Sequence, residues 1–376
     1  MADNLVFEIL EKLVRTDTSN PPGNEKTAAE YLCRLFLENH LSAWIQDVGN
    51  GRANVIASYG DGGPEILLCG HLDVVPAAGG WSMPAFELTE KNGKLYGRGT
   101  ADMKGGVAAM CAALLNVARM KIPLRGKVTL VFVADEECGN LGMRHFLGSE
   151  QKAVFAVIGE PTELQVAVAH RGALRDYIDI IGYPQHAALP SEASNAVRNS
   201  AKAVDSIFRL NDTLKSYKHP LLPSPSIAVT MINGYEKDNV IPERVRIMTD
   251  FRILPGMGLE ESRKLEEKAL EGCGEYEITE HFYMKGGETD PSCKYVQRCC
   301  KVGEKVLKRE QKPIAFGASC EQCFLVEKGI PTIICGPGSL DQAHTIDEYV
   351  EKDQIRLAEQ YYMAMIMDLL GGEIRK

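Results

Sequence analysis

Hydrophobic positions along this chain follow two rhythms, a helical spacing and a series of short runs. Between residues 24 and 39, Ala28, Tyr31, Leu32, Leu35 and Phe36 recur at three- and four-residue intervals behind the turn Asn20-Pro21-Pro22-Gly23, which predicts a helix. Residues 65–69, 128–134 and 154–158 are short, mostly apolar runs and read as buried strands. An Ala-rich helical stretch, 105–119, separates the first two. Strands alternating with helices predict an α/β fold, a mostly parallel mixed sheet flanked by helices.

The pattern changes after His170. Residues 174–181, 227–232 and 245–253 are alternating or β-branched, with a helical stretch at 195–210 among them. In the last strand Val245, Ile247, Thr249 and Phe251 share one side, and Arg246, Met248, Asp250 and Arg252 the other. This is the signature of a small α+β domain. Helix-and-strand alternation resumes near Pro291, with 296–307, 332–335 and 352–370. The expected organisation is one large discontinuous domain, 1–171 and 286–376, interrupted by an inserted one at 172–285.

A length of 376 residues suits two domains, and 45% hydrophobic with 25% charged residues is ordinary for a globular protein. The formal charge of −9 argues against a nucleic-acid partner, which would demand clustered Lys and Arg. No apolar run approaches the ~18–20 residues that span a bilayer, so no membrane partner is expected. The start, Met1-Ala2-Asp3-Asn4, lacks a basic-then-apolar signal pattern. Together with eleven scattered cysteines, this predicts reduced thiols in the cytoplasm. Cys320 and Cys323 form a Cys-x-x-Cys pair that could be a redox dithiol or half of a zinc knuckle. No second pair at knuckle spacing exists, and core thiols are the simpler reading.

Chemistry concentrates where strands end. Gly70-His71-Leu72-Asp73 follows the first buried run, at the place where open α/β sheets bind ligands. His71 and Asp73 point to one side of an extended chain, so one could hold a metal while the other orients the imidazole. Asp102 lies in the glycine-rich Gly97-Arg98-Gly99-Thr100-Ala101-Asp102-Met103-Lys104-Gly105, either as a helix N-cap or as a bridge between cations. Asp135-Glu136-Glu137 ends the most hydrophobic strand, where three acids repel unless a cation neutralises them or water solvates the turn. Glu160 tips another strand in Gly159-Glu160-Pro161-Thr162, and His344 lies in a loop before the last helix. Two histidines and several carboxylates so placed share one economical explanation, a divalent-metal site.

These motifs, in this order, resemble the M20-type zinc aminoacylase and metallopeptidase family, closest to its acetylornithine deacetylase and succinyl-diaminopimelate desuccinylase branch: His71-Leu72-Asp73-Val74-Val75-Pro76, the Gly97–Gly105 loop, Asp135-Glu136-Glu137, Gly159-Glu160-Pro161-Thr162 and Ala343-His344. The resemblance implies a zinc-peptidase-like catalytic domain with an inserted ferredoxin-like lid and dimerisation domain. It implies two divalent ions, zinc or else cobalt or manganese. His71 and Glu160 would hold one ion, Glu137 and His344 the other, and Asp102 would bridge them. Asp73 would orient His71, Glu136 would be the general base, and the Asp102–Met103 peptide would be cis. His186 matches a histidine that reaches across a homodimer to polarise the substrate carbonyl. Arg252 matches a substrate-carboxylate partner, Asn239 a lid asparagine and Glu321 an acid near the substrate. Alternatively, His186 is a turn residue and Arg252 part of an ion pair on the strand face. The implied substrates are N-acyl amino acids or dipeptides, and a metal-free binding homologue is the non-enzymatic alternative.

Overall fold

The mostly apolar runs become strands covered on both faces. In the computed structural model, which describes residues 4–189 and 195–371, strands run in the order Ser42–Gly49, Arg52–Tyr59, Lys127–Val133, Glu65–His71, Ala153–Pro161 and Thr332–Gly336. The last four are mutually parallel, and Arg52–Tyr59 and Ser42–Gly49 add antiparallel neighbours at one side. Successive residues such as Leu67 and Leu68, Val131 and Phe132, and Ile333 and Ile334 are all buried. Adjacent strand residues face opposite sides, so both faces of the sheet are covered. Each such side chain contributes about 1.5–3 kcal/mol by leaving water.

Helix Lys104–Arg119 packs on the parallel strands and against helices Lys352–Leu370 and Leu5–Arg15. Gly106 brings its first turn onto the sheet. A Cβ there would stand 2.2 Å from the Gly159 carbonyl oxygen, so only glycine permits the approach. These elements belong to one unit of the chain, Met1–Val168 with Glu288–Phe316 and Cys320–Lys376.

The second unit is Ala169–Gly287 with Gly317–Ser319. Its elements follow in the order strand Gly172–Ile181, helix Ala196–Leu214, strands Ser226–Asn233 and Arg244–Ile253, helix Leu259–Ala269 and strand Glu275–Met284. The sheet is antiparallel, with Gly172–Ile181 and Arg244–Ile253 in the middle, which is the split β-α-β arrangement of ferredoxin-like folds. Val245, Ile247, Thr249, Phe251 and Ile253 are buried under the helices, while Arg246 is exposed and Arg252 half-buried. Helix Leu259–Ala269 is attached in an unusual way, because its buried residues are Ser262 and Glu266. Glu266 is fully buried and accepts from the Thr249 hydroxyl at 2.9 Å, and Arg263 of the same helix pairs with the buried Asp176 at 3.0 Å.

Candidate metal centre

Parallel strands deliver their carboxyl ends to one edge of the sheet, and the candidate residues sit there. His71 ends strand Glu65–His71, and Glu160 lies near the end of its neighbour Ala153–Pro161. The acidic turn follows Lys127–Val133 on the other side, and the loop carrying His344 follows Thr332–Gly336. Asp102 arrives separately, on the turn that opens helix Lys104–Arg119, and the Asp102–Met103 peptide is cis.

The two oxygens of Asp102 face different histidines. Oδ1 lies 3.1 Å from His71 Nε2, and Oδ2 lies 3.3 Å from His344 Nε2. His71 Nε2 is also 3.6 Å from Glu160 Oε1, and His344 Nε2 is 3.1 Å from Glu137 Oε2. A tetrahedral ion with bonds of about 2.1 Å has ligand atoms about 3.4 Å apart, and the four histidine–carboxylate distances lie near that spacing. Oxygen and imidazole nitrogen are also the donors that zinc and its neighbours accept. The structure thus brings together all five residues that the sequence nominates as ligands.

Electrostatics makes the same demand. Burial alone would lower the pKa of His71, but its hydrogen bond to Asp102 and the charges of Glu160, Glu136 and Asp73 raise it well above the ordinary imidazole range. Hydrogen bonds to Asp102 and Glu137 push His344 up to about 10. Burial would raise Asp102, yet bonds from His344 and His71 hold it well below the usual carboxylate range. Burial, reinforced by Asp102, pushes Glu160 well up and Glu137 up. Four groups that retain protons around an ionised Asp102, offsetting crowded negative charge, form a site suited to a cation.

Asp73 meets His71 through its backbone and the acidic turn through its carboxylate. His71 Nδ1 meets the Asp73 backbone carbonyl at 2.9 Å, while the Asp73 carboxylate is 3.6 Å away. That carboxylate instead accepts the backbone N–H groups of Glu136 and Glu137, each at 3.1 Å, and the Asn20 amide at 2.8 Å. It therefore fixes the turn carrying both glutamates. Beneath it, Arg52 forks between Glu25 and Asp135, donating to Asp135 Oδ1 at 2.6 Å. Asp135 has φ +71°, left-handed for a residue with a Cβ, and is held there by accepting the N–H of Leu141 at 3.2 Å and of Gly139 at 3.1 Å. Burial, strengthened by Glu160, Glu137 and Glu321 against the opposing His71, pushes the Glu136 carboxyl well above the usual carboxylate range.

Glu348, which no sequence motif marks, holds the Asp102 turn from below. One oxygen accepts the N–H groups of Ala101 at 2.8 Å and Asp102 at 3.0 Å. The other accepts Gly99 N–H at 2.9 Å and Arg98 Nη1 at 2.7 Å. Arg52 and Glu25 carry no sequence signal, since their partners are tens of residues away. Asn20 lies in the Asn20-Pro21-Pro22-Gly23 turn and Glu348 in the loop after His344, where nothing local distinguishes either from an ordinary turn residue.

Glu321 is buried, its Oε1 has no hydrogen-bond partner among the described residues, and burial pushes its carboxyl up to about 8. Cys320 and Cys323 are buried and form no disulfide, and burial raises both thiols, Cys323 to about 12. Neither is poised as a thiolate. The remaining nominees lie in the second unit. His186 is exposed, with Nε2 3.4 Å from Asn239 Nδ2. Arg252 forks onto Asp250 at 2.5 and 3.2 Å, the strand-face ion pair that the sequence left open.

Comparison with known proteins gives a consistent picture. Residues 67–368 match the profile of peptidase family M20/M25/M40. The chain is 34% identical over 339 residues to the acetylornithine deacetylase of Photorhabdus laumondii, covering 84% of this chain and 85% of that protein. It is 35% identical to the acetylornithine deacetylase of Klebsiella pneumoniae, covering 84% and 86%. Among solved structures, an M20 family metallo-carboxypeptidase from Sulfolobus solfataricus superposes with a TM-score of 0.80 at 18% identity, covering 96% of this chain and 98% of that one. Aminopeptidase PepT from Bacillus cereus does so with a TM-score of 0.80 at 20% identity, covering 97% and 98%.

Proposed function

Because the chain belongs to peptidase family M20/M25/M40 and is a metal-dependent hydrolase of amide bonds, we propose that it removes the acyl group from an N-acyl amino acid, with N-acetylornithine the first candidate. The observation that carries this reading is the divided carboxylate of Asp102, one oxygen toward His71 and the other toward His344. It supports a pair of divalent ions, zinc foremost, with His71 and Glu160 holding one, His344 and Glu137 the other, and Asp102 both. The relatives named acetylornithine deacetylase support the substrate class.

Ions bound there supply Lewis acidity toward the amide carbonyl and lower the pKa of water to about 7. The chain's own residues do the rest. Glu136 takes a proton from the attacking water as oxygen bonds to the carbonyl carbon, then gives it to the departing nitrogen as the C–N bond breaks. A free acid and an amine leave. Asp73 keeps Glu136 in place by binding its backbone N–H. His186, steadied beside Asn239, donates to the carbonyl oxygen where negative charge develops, in a site completed by a second copy of the chain. Arg252 receives the substrate carboxylate, exchanging it against Asp250.

The edge strand Ser226–Asn233 supports a homodimer through this lid unit. Among the described residues no strand pairs with its outer side, Met231 and Ile232 are more than half exposed, and Phe208 on helix Ala196–Leu214 is exposed as well. Eleven thiols free of disulfides support a reducing compartment, the cytoplasm. Glu136→Gln tests the mechanism: turnover falls by at least about 10²–10⁴ while bound metal stays at the wild-type level. A variant with near-normal turnover eliminates Glu136 as the base.

A further inference from the structure

Glu348 lies four residues beyond His344 in sequence, and its carboxylate ends beneath Asp102. It is fully buried and uses both oxygens, accepting four hydrogen bonds of 2.7–3.0 Å from four residues of one loop: Arg98, Gly99, Ala101 and Asp102. The loop carrying His344 is fastened a second time by the neighbouring Asp347, which accepts both the N–H and the hydroxyl of Ser82 at 2.8 Å. His344 and Asp347 both adopt left-handed backbone angles, φ +61° and +55°, so the loop between them is tightly folded. His344 itself is half exposed and meets Asp102 and Glu137 through its ring nitrogen. Its position therefore depends on how its loop is anchored.

We infer that Glu348 is a positioning residue that locks the Asp102 turn and the His344 loop into one rigid piece, fixing the separation of the bridging carboxylate and its histidine. This rests on the ligand assignment proposed above. The geometry favours such a role over simple charge neutralisation of Arg98, because three of the four bonds go to backbone N–H groups, including that of Asp102 itself. A carboxylate offers acceptors on both oxygens, which an amide cannot match, since its NH2 would face the Gly99 N–H and Arg98. Arg98 is additionally covered by the Trp81 ring, 5.1 Å from its guanidinium carbon, so the ion pair is shielded from water.

The test measures Co2+ and Zn2+ affinity by competition with a chromophoric chelator, together with the visible absorption of the Co2+-loaded protein. Wild type, Glu348→Gln, Arg98→Met and Asp102→Asn are compared, each checked for folding by circular dichroism. A positioning role predicts that folded Glu348→Gln binds at least about tenfold more weakly with an altered Co2+ spectrum, while Arg98→Met stays within about threefold of wild type. A purely structural role would lower the unfolding temperature but leave the affinity and spectrum of the folded protein unchanged. That result overturns the inference. Wild-type affinity in Asp102→Asn would instead overturn the ligand assignment beneath it. Should Glu348→Gln not fold, Glu348→Asp is read by the same criteria, because it keeps a charge on Arg98 but is one methylene too short to reach every donor.

Discussion

Helix Leu259–Ala269 should come loose from its sheet as the pH rises. Burial, followed by the charge of the neighbouring Asp176, pushes the carboxyl of its buried Glu266 from 4.5 up to about 8. Thr249, which donates to it, and Arg263, which pairs with Asp176, oppose that rise, and Glu280 shares Arg263 at 3.3 Å. A carboxyl whose pKa is higher in the folded than in the unfolded state supports folding fully below about 4.5, and that support is lost as pH climbs toward 8. The interval from 4.5 to about 8 corresponds to a ceiling of about 5 kcal/mol at about 1.4 kcal/mol per pH unit. Glu266→Gln reproduces the uncharged carboxyl and still accepts from Thr249. It should be near neutral at pH 5 and stabilising by about 2–4 kcal/mol at pH 8.5. Urea unfolding at both pH values, with hydrogen exchange at the helix amides, measures this. An effect of Glu266→Gln that is equal at the two pH values would refute the reasoning.

Three other outcomes follow from the site. Arg52→Met leaves the fully buried Glu25 and the nearby Asp135 without their cation, and should cost about 3–5 kcal/mol in chemical unfolding; a loss under about 1 kcal/mol contradicts the network. Zinc should displace protons from the raised His71 and His344, so affinity climbs with pH through neutrality, and titration heats should depend on the buffer's ionisation enthalpy. Heats identical in phosphate and Tris would count against those imidazoles as ligands. Asp73→Asn should lower kcat more than metal content, since its carboxylate binds the backbone of Glu136 and Glu137; parallel losses would return Asp73 to a role through His71.

The parallel sheet was legible because its strands are mostly apolar runs separated by a helix-period segment, and the inserted unit because Val245 to Ile253 alternates cleanly. Helix Leu259–Ala269 was not legible. It buries Ser262 and Glu266 in place of an apolar stripe, so no periodicity marks it. The hairpin Ser42–Tyr59 mixes polar residues such as Gln46 and Asn54 into its strands, which hides it in the same way. At the site, residues within short glycine- or acid-marked motifs could be nominated from sequence. Those acting through distant partners could not: Arg52 meets Asp135 across 83 positions, and Glu348 meets Asp102 across 246. What such residues do is decided by the fold, after strands far apart in sequence have been brought to one edge.

The most direct test of the account is hydrolysis of N-acetylornithine, N-succinyl-diaminopimelate, N-acetylmethionine and a β-alanyl dipeptide by zinc-loaded protein, each with and without a chelator. The account predicts cleavage of N-acetylornithine that the chelator abolishes and added zinc restores. Cleavage that survives complete metal removal, or silence from metal-replete protein across all four substrates, would contradict it.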